Sequence, residues 1–325
     1  MKIDFLQIGF IRCGTSFLLD NVYPQNPHLE CINVEGHHWE LEKLLLRDFI
    51  LADGFEYDRQ SFERKFADIC QTIFTNKQVQ RRGFLFRPFT FSNQRRFDRQ
   101  NVIDRINESF PEVKIIMPIR SQQTWILSFY STYLRDGGLL GLHDFVETIL
   151  GNENLVAHYI DWFPLVSYLY KLFGSERALI YPFEELNKSP QGIANRIFDF
   201  LEVPRVQIEE SPVNPSSSKE IMPLRRSLNQ LVHFGCGASA YKLNFRRDLG
   251  EAEPTKISKL YNSFVELIYS VYTHGLCSRI DNIFGFKGRL ELEERHLKMV
   301  EQRYSSNNRK LSELLNVDLS GYGYI

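Results

Sequence analysis

The sequence predicts an α/β fold: a P-loop-like parallel sheet flanked by helices, with a helical C-terminal extension. Three observations lead there. Short apolar runs alternate with helix-length segments, the order that builds a parallel sheet covered on both faces. The first run leads through a glycine-containing turn into a helical pattern. The last third, after a stretch rich in Pro, Ser and Glu, is mainly helical in its spacing.

Along the chain, Ile3 to Ile8 reads as a buried strand, and Thr15 to Val22 as a helix that Pro24 helps to end. Leu29 to Val34 is a second strand. His38 to Ala52 and Ser61 to Phe74 have helical spacing, and Gly83 to Phe86 is a third strand. Val113 to Ile119 is the clearest strand, with a helix starting near Ser121. Ala178 to Tyr181 is the fifth, followed by a helix from Pro190 to Leu201. Pro204 to Pro223 reads as a loop. Lys256 to His274 and Leu290 to Tyr304 each carry an apolar face at helical spacing. The 325 residues are expected to form one domain, 1–325, with the α/β core over about 1–203 and the loop and helical extension over about 204–325.

Composition narrows the function. Lys and Arg number 39 and Asp and Glu 40, so the net charge is -1, and a broadly cationic surface for nucleic acid is excluded. A local anion site is not. The five cysteines, Cys13, Cys31, Cys70, Cys236 and Cys277, include no CxxC pair and suggest neither a disulfide framework nor a zinc site. A reducing compartment is the simpler expectation. No apolar run approaches the ~20 residues of a membrane span, and the N-terminus lacks the pattern of a signal peptide. A cytoplasmic chain without membrane or nucleic-acid partners is therefore expected.

Ligands of such sheets bind at the carboxyl ends of the strands, so the turns there hold the candidate site. The first turn reads Gly9-Phe10-Ile11-Arg12-Cys13-Gly14-Thr15-Ser16. Against the phosphate-loop pattern G-x-x-x-x-G-K-[ST], both glycines and Ser16 are in register, Thr15 stands in place of lysine, and Arg12 supplies a cation two residues before the second glycine. Successive backbone N–H groups at a helix start, Cys13 and Gly14 among them, form an anion cradle, to which Thr15 and Ser16 add hydroxyl donors. Missing are the lysine that reaches the terminal phosphates of ATP and a strand ending in Asp to hold magnesium. The strand Val113 to Ile119 ends instead in Arg120, with Ser128 on the next helix about 10 Å along its axis. Arg120 could grip a phosphate bidentately, and Ser128 could reach it from the side.

Together the two turns resemble the nucleotide-binding motifs of PAPS-dependent sulfotransferases of the bacterial or carbohydrate type. Arg12-Cys13-Gly14-Thr15-Ser16 is similar to that family's [KR]-x-G-T-[ST] loop for the 5′-phosphosulfate. Arg120 with Ser128 resembles its 3′-phosphate site. Phe183-Glu184-Glu185-Leu186 resembles the family's Y-E-D-L segment, and the helix ending Phe198-Asp199-Phe200-Leu201 its FLGL-like end. Tyr304 through Asn308, Leu311, Leu314-Leu315 and Asp318-Leu319 are similar to its closing helix. The chain departs from the family at Arg12 for the usual Lys, Ser16 for the commoner Thr and Phe183 for Tyr. It also lacks the K-G-x-x-G segment, for which Asn214 to Lys219 with Arg225 and Arg226 could substitute.

The resemblance implies transfer of a sulfuryl group from PAPS to a hydroxyl or amine of a small-molecule or saccharide acceptor, releasing PAP, with no metal expected. Natural-product or glycan sulfation would be the setting. Arg12 would stabilise charge at the bridging oxygen. Cys13, Gly14, Thr15 and Ser16 would hold the 5′ end, and Arg120 and Ser128 the 3′ end. The turn Val34-Glu35-Gly36-His37-His38 is similar to the carbohydrate-type K-E-x-H-F-F, which makes Glu35 the first candidate for the base, His37 the second and His38 the third. The seven arginines between Arg81 and Arg105 read either as an anion-attracting surface or as a solvated face, and Trp39, Trp125 and Phe129 either as cleft or as core. Two rival functions share the first turn: a P-loop kinase-like ATP-dependent enzyme and a non-catalytic PAP-binding module.

Overall fold

In the computed structural model of the chain, five strands form one sheet in the order β2-β3-β1-β4-β5, every neighbouring pair parallel. The structure describes residues 2–34, 37–74, 78–87, 99–151, 155–209, 218–236, 275–284 and 288–325. The strands are β1 (Phe5–Ile8), β2 (Leu29–Asn33), β3 (Arg81–Phe86), β4 (Lys114–Ile119) and β5 (Ala178–Pro182). The helices that precede β5 are α1 (Thr15–Phe17), α2 (Trp39–Leu44), α3 (Arg59–Ile73), α4 (Arg99–Ser109), α5 (Gln122–Arg135), α6 (Leu142–Leu150), α7 (Leu155–Tyr159) and α8 (Trp162–Phe173). After β5 come α9 (Phe183–Lys188), α10 (Pro190–Phe200), α11 (Ile221–Cys236), α12 (Cys277–Phe284) and α13 (Glu294–Leu315).

Successive side chains of a strand face opposite ways, and the two cores divide accordingly. Leu6, Ile8, Ile115, Met117 and Ile119 join one cluster, while Phe5, Ile116 and Tyr181 join the other. A sheet buried on both faces needs continuous apolar strands, which is why Lys114-Ile-Ile-Met-Pro-Ile119 was the most legible element.

Element boundaries differ from expectation where helix type changes. Only Thr15–Phe17 of the first helix is α; it widens into a π-turn over Leu18–Val22 before the 3-10 turn Tyr23–Gln25. The second helix likewise passes into a π-helical stretch, Leu45–Ile50. The expected loop Pro204 to Pro223 gives way to α11 at Ile221, which places Pro223 in the first turn of a helix, where its missing N–H costs nothing. The closing helix runs on to Leu315 because its buried stripe, Val300, Tyr304, Asn308 and Leu311, continues past Tyr304. The expected helix Lys256 to His274 lies outside the described residues. Among the described residues, no helix is long and apolar enough to cross a membrane.

Two features of the fold position the site. Chain order runs from β1 outward to β2 on one side and from β4 outward to β5 on the other, so β1 and β4 flank the switch point at which α/β sheets bind ligands. The C-terminal helix then secures the start of α5. Gln122 Nε2 donates to Asn308 Oδ1 at 3.0 Å, and Asn308 Nδ2 returns the bond to Gln122 Oε1 at 3.1 Å, both residues buried. Tyr304 donates through its hydroxyl to Ala157 O at 2.9 Å, and Asn307 Nδ2 to Asp161 Oδ2 at 2.7 Å. Both amides of the Gln122–Asn308 pair are used in full reciprocity, as burial favours.

Candidate nucleotide-binding site

The turn after β1 is shaped by two left-handed residues. Arg12 has φ 66° and Gly14, the N-cap of α1, has φ 81°. The second position demands glycine twice over: any Cβ there would be strained by the backbone, and it would lie 2.7 Å from the Phe183 ring. The N–H groups of the first helical turn beyond Gly14 have no carbonyl of their own helix to reach. Thr15 is buried and Ser16 exposed. The Cys13 N–H, expected to face a phosphate, donates to Phe10 O at 3.3 Å and closes the turn. The Cys13 thiol is buried, and burial pushes it up to about 12, so it is neither a thiolate nor a nucleophile at neutral pH.

The turn after β4 meets this loop directly. Arg120 Nη1 donates to Arg12 O at 2.7 Å and Arg120 Nε to Thr124 Oγ1 at 3.1 Å, while its guanidinium lies 4.6 Å over the Phe183 ring. Arg12 Nε donates to Ser128 Oγ at 2.8 Å. Arg120, Thr124 and Ser128 are four residues apart and so follow one face of α5. Arg12, Cys13, Gly14, Arg120 and Ser128 thus converge at the β1–β4 switch point.

Neither arginine has a carboxylate within ion-pair distance among the described residues. Burial pulls Arg12 down to about 10, reinforced by the nearby Arg135 and Arg120 cations, and burial also lowers Arg120. Both remain charged at pH 7. Two acids stand beyond ion-pair distance: Asp136, which partly offsets the lowering of Arg12, and Glu184, which does so for Arg120 and whose Oε1 accepts from the Ser121 N–H and the Thr124 hydroxyl, each at 3.1 Å. Two mostly buried cations with no carboxylate in direct contact among the described residues are costly unless an anion completes the site.

Further residues hold the turns in place, Trp162 and Thr124 among them without having been candidates from the sequence. Trp125 Nε1 donates to Ile11 O at 2.9 Å and Trp162 Nε1 to Arg120 O at 2.7 Å, so each indole fixes the backbone of one turn. Trp125 is fully buried and stacks on Phe129 at 4.7 Å, which makes both core residues, whereas Trp39 is exposed. Phe183 replaces a hydroxyl contact with the face beneath Arg120. Arg87 follows β3, with its Cγ 3.0 Å from where a Cβ on Gly9 would lie, and brings a third cation to this edge. Thr124 had a readable signal, four residues after Arg120 and four before Ser128. Trp162 had none, because its partner is distant in sequence.

The remaining candidates are placed as follows. Glu35 lies outside the described residues. His37 is exposed in the turn after β2, its N–H bonded to Val34 O at 3.4 Å, and His38 precedes α2 as its N-cap. β2 is two strands from β1 in a parallel sheet, so this turn lies on the same edge as Arg12, about 10 Å across. Asn214 to Ser217 are outside the described residues. Arg225 is buried beside Cys277, and Arg226 lies against Gly141. The arginines of 81–105 do not form one surface: Arg105 is buried and donates to Phe49 O at 2.6 Å, Arg81 donates to Leu201 O at 3.0 Å, and Arg99 lies over Tyr159. Arg95 and Arg96 are outside the described residues.

A parallel sheet with a glycine-bearing cradle after its first strand places the chain in the P-loop-like α/β class. No protein-family model matches it, and no curated protein matches it. Among solved structures it is similar to a sulfotransferase from Alicyclobacillus acidocaldarius, with 18% identity and a TM-score of 0.47, covering 77% of this chain and 98% of that one. It is also similar to a mouse sulfotransferase solved with PAP, with 14% identity and a TM-score of 0.39, covering 87% and 89%. The sulfotransferase domain of the curacin biosynthetic pathway is a third, with 13% identity and a TM-score of 0.36, covering 89% and 99%.

Proposed function

We propose that the chain is a PAPS-dependent sulfotransferase acting on a hydroxyl or amine of a small-molecule or saccharide acceptor. The observation that carries this reading is the pair Arg12 and Arg120, two largely buried cations at one switch point with no carboxylate partner among the described residues. A nucleotide phosphorylated at both its 5′ and 3′ ends supplies the anions such a site calls for. The fit is also steric, since glycine at position 14 keeps the cradle free of a side chain.

PAPS when bound supplies an activated sulfuryl group. Gly14, Thr15 and Ser16 hold the 5′ end through backbone and hydroxyl donors, and Arg120 with Ser128 holds the 3′ end. Arg12 stabilises the charge that gathers on the leaving oxygen. Glu35, on the turn after β2, takes the proton of the acceptor as its oxygen or nitrogen bonds to sulfur and the sulfur–oxygen bond to PAP breaks. His37 is the second candidate for that base.

The test is calorimetric binding of PAP against ADP, with and without magnesium, to wild type and Arg12→Ala. Magnesium-independent PAP binding, at least about tenfold weaker in Arg12→Ala, is expected. Preference for magnesium–ADP would favour the kinase-like reading and overturn this one. Labelled PAPS offered with a panel of acceptors then distinguishes an enzyme from a module that only binds PAP.

A further inference from the structure

A second cluster of chemistry-bearing side chains lies away from the two turns, where α6 meets the start of α13. His143 and Glu147 are four residues apart on α6 and so share one face of it, while Glu293 is the N-cap of α13 and His296 lies in its first turn. One potential ligand atom each from His143, Glu293 and His296 lies within 4.8 Å of the others. The two imidazole rings are 5.0 Å apart, His143 Nδ1 is 3.7 Å from Glu293 Oε2, and His296 Nε2 is 3.6 Å from Glu147 Oε1.

The anomaly is His296. Only 1% of it is exposed, yet neither ring nitrogen has a hydrogen-bond partner among the described residues. A buried imidazole with both nitrogens unsatisfied is disfavoured, and the groups it does face are a second imidazole and two carboxylates. That is the donor set of a transition-metal site, whereas calcium and magnesium take oxygen donors.

We propose that His143, Glu293 and His296 bind a zinc-type divalent ion, with Glu147 as fourth ligand or as the carboxylate that orients His296. In a tetrahedral zinc site the ligand atoms stand about 3.3 Å apart, so the cluster closes by up to about 1.5 Å from its present 4.8 Å. His143 and Glu293 have side chains 46% and 67% exposed and can turn to meet the ion without moving either helix. Arg295 Nη2 now sits 2.7 Å from Glu147 Oε1; it is largely exposed and swings away when the ion takes that oxygen. The site joins residues about 150 positions apart, so the ion clips the long C-terminal helix to the body of the protein. Its consequence is for stability, and it is independent of the sulfotransferase reading.

The test is competition for Zn²⁺ against a chromophoric chelator, with thermal melting, on wild type, His143→Ala, Glu293→Gln and the double variant His37→Ala/His38→Ala. Both single changes are at exposed positions and leave the fold intact, whereas replacing buried His296 could unfold the chain. One equivalent of zinc is expected, bound at least about tenfold more weakly in each single variant and equally well in the His37/His38 control. Saturating zinc raises the wild-type melting temperature by about 5 °C, and substituted Co²⁺ shows the absorption of a four-coordinate ion. No binding, binding undiminished in both single variants, or binding lost in the control would overturn the proposal.

Discussion

Arg12 and Ser128, 116 residues apart, are joined directly: the arginine Nε donates to the serine hydroxyl at 2.8 Å. By resemblance they belong to opposite ends of one nucleotide. In the structure they form one unit, which Arg120 completes by donating to the Arg12 carbonyl. The two turns are therefore coupled, and a change at either is felt at both.

That coupling predicts non-additive mutants. Arg12→Ala removes a cation, while Ser128→Ala removes a neutral hydroxyl, yet each breaks the bond that orders the other's side chain. Ser128→Ala should weaken PAP binding about tenfold or more, the worth of a hydrogen bond to a charged group. The double variant should lose less than the product of the single losses. Calorimetry on the four proteins measures it; simple additivity would show that the contact carries no functional coupling.

Gly14 is the least replaceable residue of the first turn. With φ 81° and the Phe183 ring 2.7 Å from any Cβ, Gly14→Ala combines backbone strain with overpacking and should cost about 2–4 kcal/mol. Urea midpoints read this loss, and PAP binding should fall with it. Adding Phe183→Ala relieves the overpacking share but not the strain, so partial recovery is expected. Full recovery would show that the left-handed conformation is not required.

How much of this was legible follows from where each signal resides. The strand Lys114 to Ile119 was readable because burial on both faces leaves it almost wholly apolar, and the Gly14-Thr15-Ser16 turn because phosphate cradles need small residues at fixed offsets. Arg12, Arg120 and Ser128 were found as separate candidates. Their meeting was not visible, because it depends on β1 and β4 being sheet neighbours. The same holds for Trp125 and Trp162, whose indoles brace Ile11 and Arg120 through bonds spanning 114 and 42 residues; in sequence Trp125 reads either as cleft or as core, and nothing marks Trp162. The start of α11 differs from expectation because Pro223 stands in the first turn of a helix, where proline is tolerated, and not at the end of a loop.

Cys13 supplies a prediction with a definite sign. Burial raises its thiol from 9.0 to about 12, so the folded state holds this proton more tightly than the unfolded chain does. Its contribution to stability is complete below pH 9 and is lost as pH climbs from about 9 to about 12, with a slope near 1.4 kcal/mol per pH unit. Urea midpoints measured across this range should fall, and Cys13→Ala should remove about that much of the slope. Thiol reagents at pH 8 should leave Cys13 unmodified in the folded protein. Rapid labelling at Cys13 would contradict the burial on which the argument rests.

The base assignment gives the sharpest functional prediction. The exposed His37 follows β2 at the same sheet edge as Arg12, and the sequence puts Glu35 two residues before it. A carboxylate that only takes the acceptor's proton contributes nothing to nucleotide binding, because it has no attraction for phosphate. Glu35→Gln should therefore bind PAP as wild type does and lose turnover by about 100-fold or more. His37→Ala should change turnover by only a few-fold. If His37→Ala abolishes turnover while Glu35→Gln retains it, the imidazole is the base. A Glu35→Gln protein that binds PAP less tightly would place that carboxylate in the structure of the turn and not at the acceptor.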